Sequence, residues 1–267
     1  MLSSKIIPKL MPKSLMDAQK FDRLSAFVKT FDLSVCVNAP AGPSGDASLL
    51  VLSGGNGRAA RLIFAAGGAV DIALADTVLA SAVVEFGGPG NPLVGALPKR
   101  LEVDLEERPA LRAITEAFVA EASDARCGRE AALERLSEVI VLMLLRHAID
   151  EGTTVPGLLA GLSHPTLHRA LVAIHDAPAH SWRIDDLADL ASMSRSRFMA
   201  LFRDTVGTTP GAYLTHWRLT LARRAIIQGG RVKATAAHVG FGSVAAFSRA
   251  YSRRFGHAPT ETQRSTT

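Results

Sequence analysis

The chain has 267 residues, 48% of them hydrophobic, and a formal net charge of +5 at pH 7; this length can hold two domains, and this composition excludes a disordered protein. The charge is unevenly distributed, because residues 163–267 carry 14 Lys and Arg against 6 Asp and Glu, whereas residues 1–162 carry 16 against 19. Two cysteines exclude a disulfide framework, and no apolar run reaches the ~18 residues of a membrane-spanning helix, so a cytoplasmic location is expected.

The N-terminal segment 1–16 is predicted to be a flexible head, since its lysines interrupt the apolar centre that a secretion signal would need. Met16 is an alternative start of the protein. Residues 17–29 have the apolar spacing of a short amphipathic helix. The first folded domain is therefore expected to begin near residue 17.

Between Phe31 and Leu105, short apolar runs alternate with breakers rich in glycine and proline. The runs are Leu33–Val37, Leu49–Leu52, Arg61–Phe64, Val70–Leu74 and Val78–Phe86. Their length and spacing predict a small all-β unit, either a sandwich or a barrel, over residues 31–105. This unit contains no histidine, since the first in the chain is His147, which excludes imidazole-based metal binding and acid–base catalysis there.

Helical patterns follow the β unit, over residues 110–122 and 129–149. The second of these has a strongly apolar side, which is expected to pack on the β unit or on the same helix of a second protomer. The residues of this side are Leu133, Leu136, Val139, Ile140, Met143 and Leu144. Residues 151–162 are predicted to be a linker, so the first domain spans residues 17–162.

The remaining residues, 163–267, are predicted to form an all-α domain of seven helices. The helices are His164–Asp176, Ile184–Ala191, Ser194–Val206, Pro210 to about Gln228, Val232–Val239, Val244–Phe255 and a short last helix from Thr260. The chain is therefore predicted to be an α+β protein, with a β-rich N-terminal domain and an all-α C-terminal domain.

One pattern occurs twice in the C-terminal domain, at positions 49 residues apart. The copies are Ser194-x3-Phe198-x2-Leu201-Phe202-x4-Gly207-x2-Pro210 and Ser243-x3-Phe247-x2-Ala250-Tyr251-x4-Gly256-x2-Pro259. In each copy a serine occupies the N-cap, apolar residues recur three and four apart, and glycine followed by proline ends the helix. Two copies of one helical unit, separated by a long helix, indicate a partner that repeats in space. Duplex DNA is such a partner, because its major groove recurs every ~34 Å.

Each repeated helix follows a shorter helix, which predicts two helix-turn-helix motifs. A small residue, Ala188, is expected where the first pair of helices cross, with Met193 in the turn. The second pair is expected to repeat the scheme, with Ala236, Ala237 and Val239 before the turn and Phe241 in it. The side chains left outside are predicted to bind DNA, since arginine reads guanine, serine binds phosphate and small apolar groups contact thymine methyls. They are Ser194, Arg195, Ser196, Arg197, Met199 and Arg203 in the first motif, and Ser243, Val244, Ala245, Ser248, Arg249 and Arg253 in the second, with Ala200 and Arg254 also facing outward.

The other reactive side chains have simpler interpretations. Three histidines at helical spacing lack a cysteine or carboxylate partner and are expected in the core or on the surface, and not around a metal: His164, His168 and His175. Two arginines flank Cys127, which together with Cys36 is a candidate oxidant sensor, although buried or loop cysteines without a redox role are the simpler interpretation. No catalytic residue, metal or cofactor is expected.

Two stretches carry a resemblance to a known family. They are Trp182-x-Ile184-x2-Leu187-Ala188-x4-Met193-Ser194-x3-Phe198-x3-Phe202-Arg203-x3-Gly207-x2-Pro210-x2-Tyr213-Leu214-x2-Trp217-Arg218-Leu219-x2-Ala222 and Ala237-x-Val239-Gly240-Phe241-x-Ser243-x2-Ala246-Phe247-Ser248-Arg249-Ala250-Tyr251-x3-Phe255-Gly256-x2-Pro259. Residues 182–259 thereby resemble the DNA-binding domain of the AraC/XylS transcription regulators. The resemblance implies two helix-turn-helix units, held rigidly by the long helix, in adjacent major grooves on one face of DNA. The chain departs from this family after Pro259, where little remains for a final helix.

The segment Phe86–Pro98 is similar to one that precedes the helices in a branch of these regulators with a cupin-like sensor domain and a dimerising helical pair. The resemblance implies a degenerate cupin-like domain that senses a small ligand or serves as an oligomerisation scaffold. It further implies a homodimer in the bacterial cytoplasm, with promoter DNA and RNA polymerase as partners.

We therefore expect a sequence-specific transcription regulator, an activator before a repressor, and not an enzyme. Two alternatives are a non-specific architectural DNA-binding protein and a small-molecule-modifying enzyme fused to a DNA-targeting domain. The single lysine among residues 163–267 argues against the first, and the lack of a nucleophile–base pair or metal set in the first 146 residues argues against the second.

Overall fold

The computed structural model describes residues 24, 34–37, 47–66, 76–85, 99–124, 126–152 and 156–264. Four sequence predictions lie outside these residues: the head, most of the helix 17–29, the strand Val70–Leu74 and the segment Phe86–Pro98. Within the described part of the chain, no helix has the length and apolar character to cross a membrane.

Among the described residues of the N-terminal domain, five strands form one antiparallel sheet. They are β1 (Ser34–Val37), β2 (Ala47–Ser53), β3 (Ala59–Ala66), β4 (Val78–Glu85) and β5 (Leu101–Asp104). Their order in the sheet is β1-β4-β2-β3-β5, and every neighbouring pair is antiparallel. A small β unit is confirmed, with β5 as a strand that no single apolar run had marked, whereas its bounds at residues 31 and 105 stay a prediction.

Both faces of this sheet are buried. Leu49, Val51 and Phe64 belong to the main hydrophobic core, whereas Leu50, Leu52 and Ile63 form a separate apolar cluster. Side chains alternate between the two faces of a strand, so burial of both faces requires apolar residues at successive positions. The uninterrupted runs of β2 and β3 therefore reflect a sheet that is covered on both sides.

Two helices pack against the sheet and against each other, α1 (Pro109–Ser123) and α2 (Arg129–Glu151). Their connection is held by Arg129, whose guanidinium donates to the carbonyls of Glu121 at 3.0 Å and Ala122 at 2.7 Å. Val139 does not pack on the β unit, because it is 41% exposed, so for this residue the predicted alternative of packing on a second protomer stays open. The buried stripe follows Leu133, Ser137, Ile140 and Leu144, which leaves Val139 on the outer side of the helix.

The predicted linker 151–162 contains a buried helix, α3 (Leu158–Ser163). Residues 158–162 are all buried, and α3 contacts α2 and two helices of the C-terminal domain. Gly161 packs so closely that an added Cβ would lie 2.5 Å from the Leu171 side chain. The glycines and proline beside this short apolar run hid it from sequence analysis, and the two domains share one core through it.

Seven helices form the C-terminal domain, as predicted. They are α4 (Leu167–Asp176), α5 (Ile184–Leu190), α6 (Arg195–Val206), α7 (Pro210–Ile227), α8 (Val232–His238), α9 (Val244–Phe255) and α10 (Pro259–Arg264). The start of α4 differs from the prediction, because His164 precedes Pro165 and adopts an extended backbone, with ψ 131°.

The long helix α7 joins two cores. Tyr213, Leu214 and Trp217 in its first half belong to the main core, together with α5 and α6. Its second half packs with α8 and α9 in a smaller core through Leu219, Ala222, Ile226, Ala236, Val239, Phe247 and Tyr251. Each helix-turn-helix motif is therefore attached to a different half of one continuous helix.

Candidate nucleic-acid interface

The same hydrogen bond closes the turn of both helix-turn-helix motifs. In the first motif, α5 and α6, the N–H of Met193 donates to the Ala188 carbonyl at 2.9 Å. In the second motif, α8 and α9, the N–H of Phe241 donates to the Ala236 carbonyl, also at 2.9 Å. Ala188, Ala236 and Val239 are buried, as predicted, whereas Ala237 is exposed on the outer side of α8.

The two turns differ in one respect that the repeat pattern did not reveal. Ser192 with φ 56° and Gly240 with φ 90° occupy equivalent positions in the left-handed region. Between Phe241 and Ser243 the second turn has one further residue, Gly242, whereas Met193 and Ser194 are adjacent in the first. The first helices of the motifs are therefore 48 residues apart, although the repeated second helices are 49 apart.

The repeated helices α6 and α9 are built alike. Phe198 and Phe202 in α6, and Phe247 and Tyr251 in α9, are fully buried. Both helices end at a left-handed glycine, Gly207 or Gly256, whose N–H donates at 2.9 Å to the carbonyl four residues earlier. Burial of these aromatic rings fixes which side of each helix remains for a partner.

The N-caps of α6 and α9 are occupied as predicted, but only one side chain makes the capping bond. Ser243 Oγ accepts from the Ala246 N–H at 3.2 Å. Ser194 Oγ makes no such bond and lies 3.4 Å from Ser196 Oγ.

All the side chains predicted to bind DNA lie on the outer side of α6 and α9. Most of them are exposed: Ser194, Arg195, Ser196, Arg197, Arg203, Ser243, Val244, Ala245, Arg249 and Arg253. Met199 and Ser248 are half-buried. Val244 is 38% exposed, which is unusual for a large apolar residue in this domain and leaves its methyl groups available to a partner.

One of these arginines is engaged within the protein. Arg195 Nη1 lies 3.2 Å from Asp185 Oδ2 in the first turn of α5. The others, Arg197, Arg203, Arg249 and Arg253, form no salt bridge with any carboxylate among residues 156–264. The outer sides of both helices therefore present positive charge that the described part of the protein does not neutralise.

Two neighbouring histidines report this positive charge. Burial lowers the pKa of His164 below its ordinary value, and the charge of Arg197 lowers it further. The pKa of His216 is lowered in the same way, by burial and then by Arg254.

The structure adds polar groups beside the recognition helices that sequence analysis did not select. A groove of about 670 Å³ next to α6 is lined by His164, Thr166 and Arg197. A second groove, of about 360 Å³ next to α9, is lined by Thr215 and His216 of α7 and by Arg253 and Arg254. The residues that line each groove come from helices distant in sequence, so sequence patterns gave little sign of either groove. The one local signal was in α7, where Gly211 and Thr215 are four residues apart and therefore lie on the same side of the helix.

The histidines of α4 have the structural role that was predicted. His175 is buried, stacks on Trp217 with ring centroids 4.4 Å apart, and shares a 2.6 Å hydrogen bond with the Tyr213 hydroxyl. Burial lowers the pKa of His175 to about 3. Within the described ranges, no three His, Cys, Asp or Glu side chains are arranged to hold a metal ion.

Cys127 is exposed in the connection between α1 and α2. The arginines beside it are both engaged, since Arg126 pairs with Asp124 at 2.5 Å and Arg129 donates to carbonyls. A redox role for this cysteine stays a prediction.

Comparison with known proteins identifies both domains. Residues 187–265 match a helix-turn-helix domain, and residues 35–150 match a cupin domain. The chain is 32% identical over 174 residues to an HTH-type transcriptional regulator of Haemophilus influenzae. The matched stretch covers 65% of this chain and 58% of that protein. It is 42% identical over 128 residues to a Streptomyces lividans protein described as an AraC-like transcription regulator, covering 47% of this chain and 42% of the other.

A third similar protein is the RCS-specific HTH-type transcriptional activator RclR of Escherichia coli, 34% identical over 142 residues, or 53% of this chain and 50% of that protein. The chain thus spans about half the length of the curated relatives it matches. The resemblance to AraC-type regulators that the sequence predicted, with a cupin-like domain before the helix-turn-helix domain, is confirmed.

Proposed function

We propose that this chain, which joins a cupin domain to an AraC-type helix-turn-helix domain, is a sequence-specific DNA-binding transcription regulator. One observation carries the proposal: two repeated helices with the same buried aromatic side each expose arginines that no described carboxylate neutralises. Phosphates and guanine edges are the partners that such arginines satisfy.

The length of α7 fits contact with two successive major grooves. Its 18 residues span about 27 Å, the same order as the ~34 Å between major grooves on one face of DNA. Trp217 and Ile226 are buried in different cores along this helix, so each motif is attached to its own half of α7. One chain would then bind two DNA segments about one helical turn apart.

The candidate residues differ in the contact that each favours. Arg197 lies in the first turn of α6 and Arg249 in the middle of α9. Both are exposed and unpaired within residues 156–264, so they are proposed to read bases. Arg203 and Arg253 lie a turn or more later and are proposed to bind phosphates. Arg195 would have to exchange Asp185 for a DNA partner, so we expect it to contribute less free energy to binding.

The same arginines argue against an architectural DNA-binding protein. Such proteins unstack bases with apolar wedges and hold the backbone with many cations. Here Val244 is the exposed large apolar residue of the two recognition helices, and it lies beside the serine N-cap of α9. The similar proteins named above are described as regulators and not as enzymes, which favours the same conclusion over an enzyme fused to a DNA-targeting domain.

The remaining parts of the proposal concern regulation. The cupin domain is proposed to sense a small ligand or to serve as an oligomerisation scaffold, and the outer side of α2 around Val139 to contact a second copy in a homodimer. The chain is further proposed to be an activator, as the name of the E. coli relative describes that protein. Contact with RNA polymerase and a location in the bacterial cytoplasm are also parts of the proposal.

Selection of duplexes from a random library by the full chain tests the proposed function. We expect enrichment of a motif with two conserved segments about one helical turn apart. Affinity for the selected duplex should exceed that for a scrambled duplex of equal length by at least ~1,000-fold at physiological salt. Recovery of no motif, or equal affinity for both duplexes, would leave only the architectural alternative.

A further inference from the structure

We propose that Arg218 is a positioning residue that fixes the orientation of the two recognition helices relative to each other. By doing so it sets the spacing of the two DNA segments that one chain binds. The role in spacing rests on the function proposed above, whereas the fixed orientation is a property of the free protein and can be tested without DNA.

Arg218 lies in the middle of α7 and donates to three main-chain carbonyls. Its Nε donates to Pro178 at 2.7 Å, its Nη2 to His180 at 2.8 Å and its Nη1 to Gly240 at 3.1 Å. We call these four groups the carbonyl clamp. The planar guanidinium satisfies all three acceptors at once, which the single ammonium of lysine cannot do with the same geometry.

The carbonyl clamp connects the two motifs because its acceptors belong to different ones. Pro178 and His180 lie in the loop that leads from α4 into α5, the first helix of the first motif. Gly240 lies in the turn of the second motif. The loop is itself held in place, since Trp182 Nε1 donates to the Ala177 carbonyl at 2.9 Å and its ring contacts that of His180.

A direct backbone contact accompanies the carbonyl clamp. A Cβ added at Gly240 would lie 2.7 Å from Ala179 Cα and 2.8 Å from the Ala179 carbonyl oxygen. The turn of the second motif therefore touches the loop of the first, main chain against main chain. Contact at this distance leaves no room for one motif to rotate against the other while the carbonyl clamp is closed.

The charge of Arg218 has no other partner in the described domain. No carboxylate among residues 156–264 forms a salt bridge with it, and burial lowers its pKa below the ordinary value. A half-buried guanidinium is therefore held by carbonyl dipoles alone. Opening the clamp would exchange three charge-assisted hydrogen bonds with fixed carbonyls for bonds to water, so the closed arrangement is favoured as long as the main chain holds those carbonyls in place.

A rigid connection has a defined consequence for binding at two sites. The second motif meets its DNA segment at a high effective concentration when the spacing matches, and at a very low one when it does not. A looser connection between the motifs lowers the affinity for DNA whose two segments have the matched spacing. It also allows the chain to bind DNA with other spacings. Spacing selectivity is thus the property that Arg218 should control, separately from the affinity of each motif alone.

The first test measures the distance between the motifs in the free full chain. Spin labels are attached through Ala200→Cys on α6 and Ala245→Cys on α9, in a background with Cys36→Ser and Cys127→Ser. We expect one narrow distance in the parent and in the control Arg231→Lys, an exposed arginine of the same domain outside the clamp. Arg218→Lys should broaden the distribution or add a second distance, while circular dichroism still reports the parent helix content.

The second test uses the duplex selected by the wild-type chain and versions with one base pair inserted or deleted between its two segments. Each base pair rotates one segment by ~35° relative to the other. The insertion should lower the affinity of the wild-type chain at least ~10-fold, but the affinity of Arg218→Lys less than ~3-fold. Arg218→Lys should also bind the duplex with the original spacing more weakly than the wild-type chain does. A duplex with a single segment should bind both proteins within ~2-fold.

The outcomes separate the two proposals. An Arg218→Lys chain that keeps the narrow distance and the wild-type penalty for the insertion would overturn the role of Arg218. If Arg218→Ala does not fold, the lysine variant and Gly240→Ala, which opens the backbone contact, still test it. If the wild-type chain selects no two-segment motif, the proposed function fails, while the spin-label distances still decide whether the carbonyl clamp fixes the motifs.

Discussion

At position 240 the chain needs a residue without a side chain, for two separate reasons. The backbone has φ 90°, in the left-handed region, and the Cβ of any other residue would overlap the main chain of Ala179. Ser192, at the equivalent position of the first motif, also has a left-handed backbone, but its side chain is exposed. The second motif is therefore constrained at its turn more tightly than the first.

Gly240→Ala should lower the free energy of unfolding by at least ~2 kcal/mol, since it combines backbone strain with overpacking. The matched control is Gly242→Ala two residues later, where an added Cβ meets nothing within 4 Å and φ is not positive. It should change stability by no more than ~0.5 kcal/mol. Urea unfolding of both variants measures the difference, and equal effects would contradict the close approach at Gly240.

His175 should make the stability of the domain depend on pH. Burial holds the pKa of His175 at about 3 in the folded chain, and unfolding returns it to the ordinary value near 6.5. The unfolded chain therefore binds more protons between these pH values. The stability contribution is complete above about pH 6.5 and is lost as the pH falls towards 3.

Between pH 7 and pH 5 this linkage should cost about 2 kcal/mol of unfolding free energy. His175→Gln, which can keep a hydrogen bond to Tyr213, should remove that part of the pH dependence. Urea unfolding of both proteins at the two pH values checks the prediction. The same loss of stability in the variant would show that other groups cause it.

At the scale of elements, the repeated helices α6 and α9 offer a controlled comparison of N-caps. Ser243 Oγ accepts a capping hydrogen bond, and Ser194 Oγ does not. Ser243→Ala should therefore destabilise the folded chain by about 1 kcal/mol, and Ser194→Ala by clearly less. Thermal unfolding measures the stability of both variants. It is done without DNA, so that a contact of either serine with DNA does not affect the result. Equal losses would mean that both serines cap their helices in solution.

The elements that sequence could predict are those with a local signal. Ser243, Phe247 and Gly256 define α9 by spacing alone, because cap, buried face and terminator lie within one helix. The same spacing repeated in α6 predicted the second unit. All seven helices of the C-terminal domain followed from such signals.

The features that sequence could not predict depend on contacts between distant residues. The run Leu158–Leu162 reads as part of a linker until α2, α4 and α6 bury it. Val139 and Ile140 are both apolar, and the side of α2 that faces the sheet decides which of the two is buried. Arg195 lies among the DNA-binding candidates, yet Asp185, ten residues earlier, already pairs with it. Arg218 has acceptors 40 and 22 residues away, which no local pattern reveals.

At the scale of the whole molecule, one core continues from the β-sheet through α3 to the first half of α7. Packed side chains therefore connect the sheet of the N-terminal domain to the first helix-turn-helix motif without interruption. The second motif has a separate core and is connected to the first through α7 and Arg218. This division suggests that a ligand of the cupin domain would act first on the first motif.

The outer side of α2 provides a test of the proposed homodimer. Val139 is 41% exposed on this helix, and Val78 is 40% exposed on β4. Val139→Glu should convert a dimer to a monomer, because a charge at the centre of an apolar interface is costly to bury. Val78→Glu is the control and should leave the mass unchanged. Sedimentation equilibrium of the wild-type chain and the two variants gives their masses. A monomeric wild-type chain would remove the homodimer from the proposal.

The central claim is that α6 and α9 of one chain occupy two successive major grooves of a duplex. Methylation protection of guanine N7 on the selected duplex tests this claim most directly, because N7 lies in the major groove. We predict two protected groups about 10 base pairs apart on one face of the DNA. Arg197→Ala should remove protection in one group and Arg249→Ala in the other, each with a loss of about 1–3 kcal/mol in binding. A single protected segment, or loss of both groups in either variant, would contradict the account.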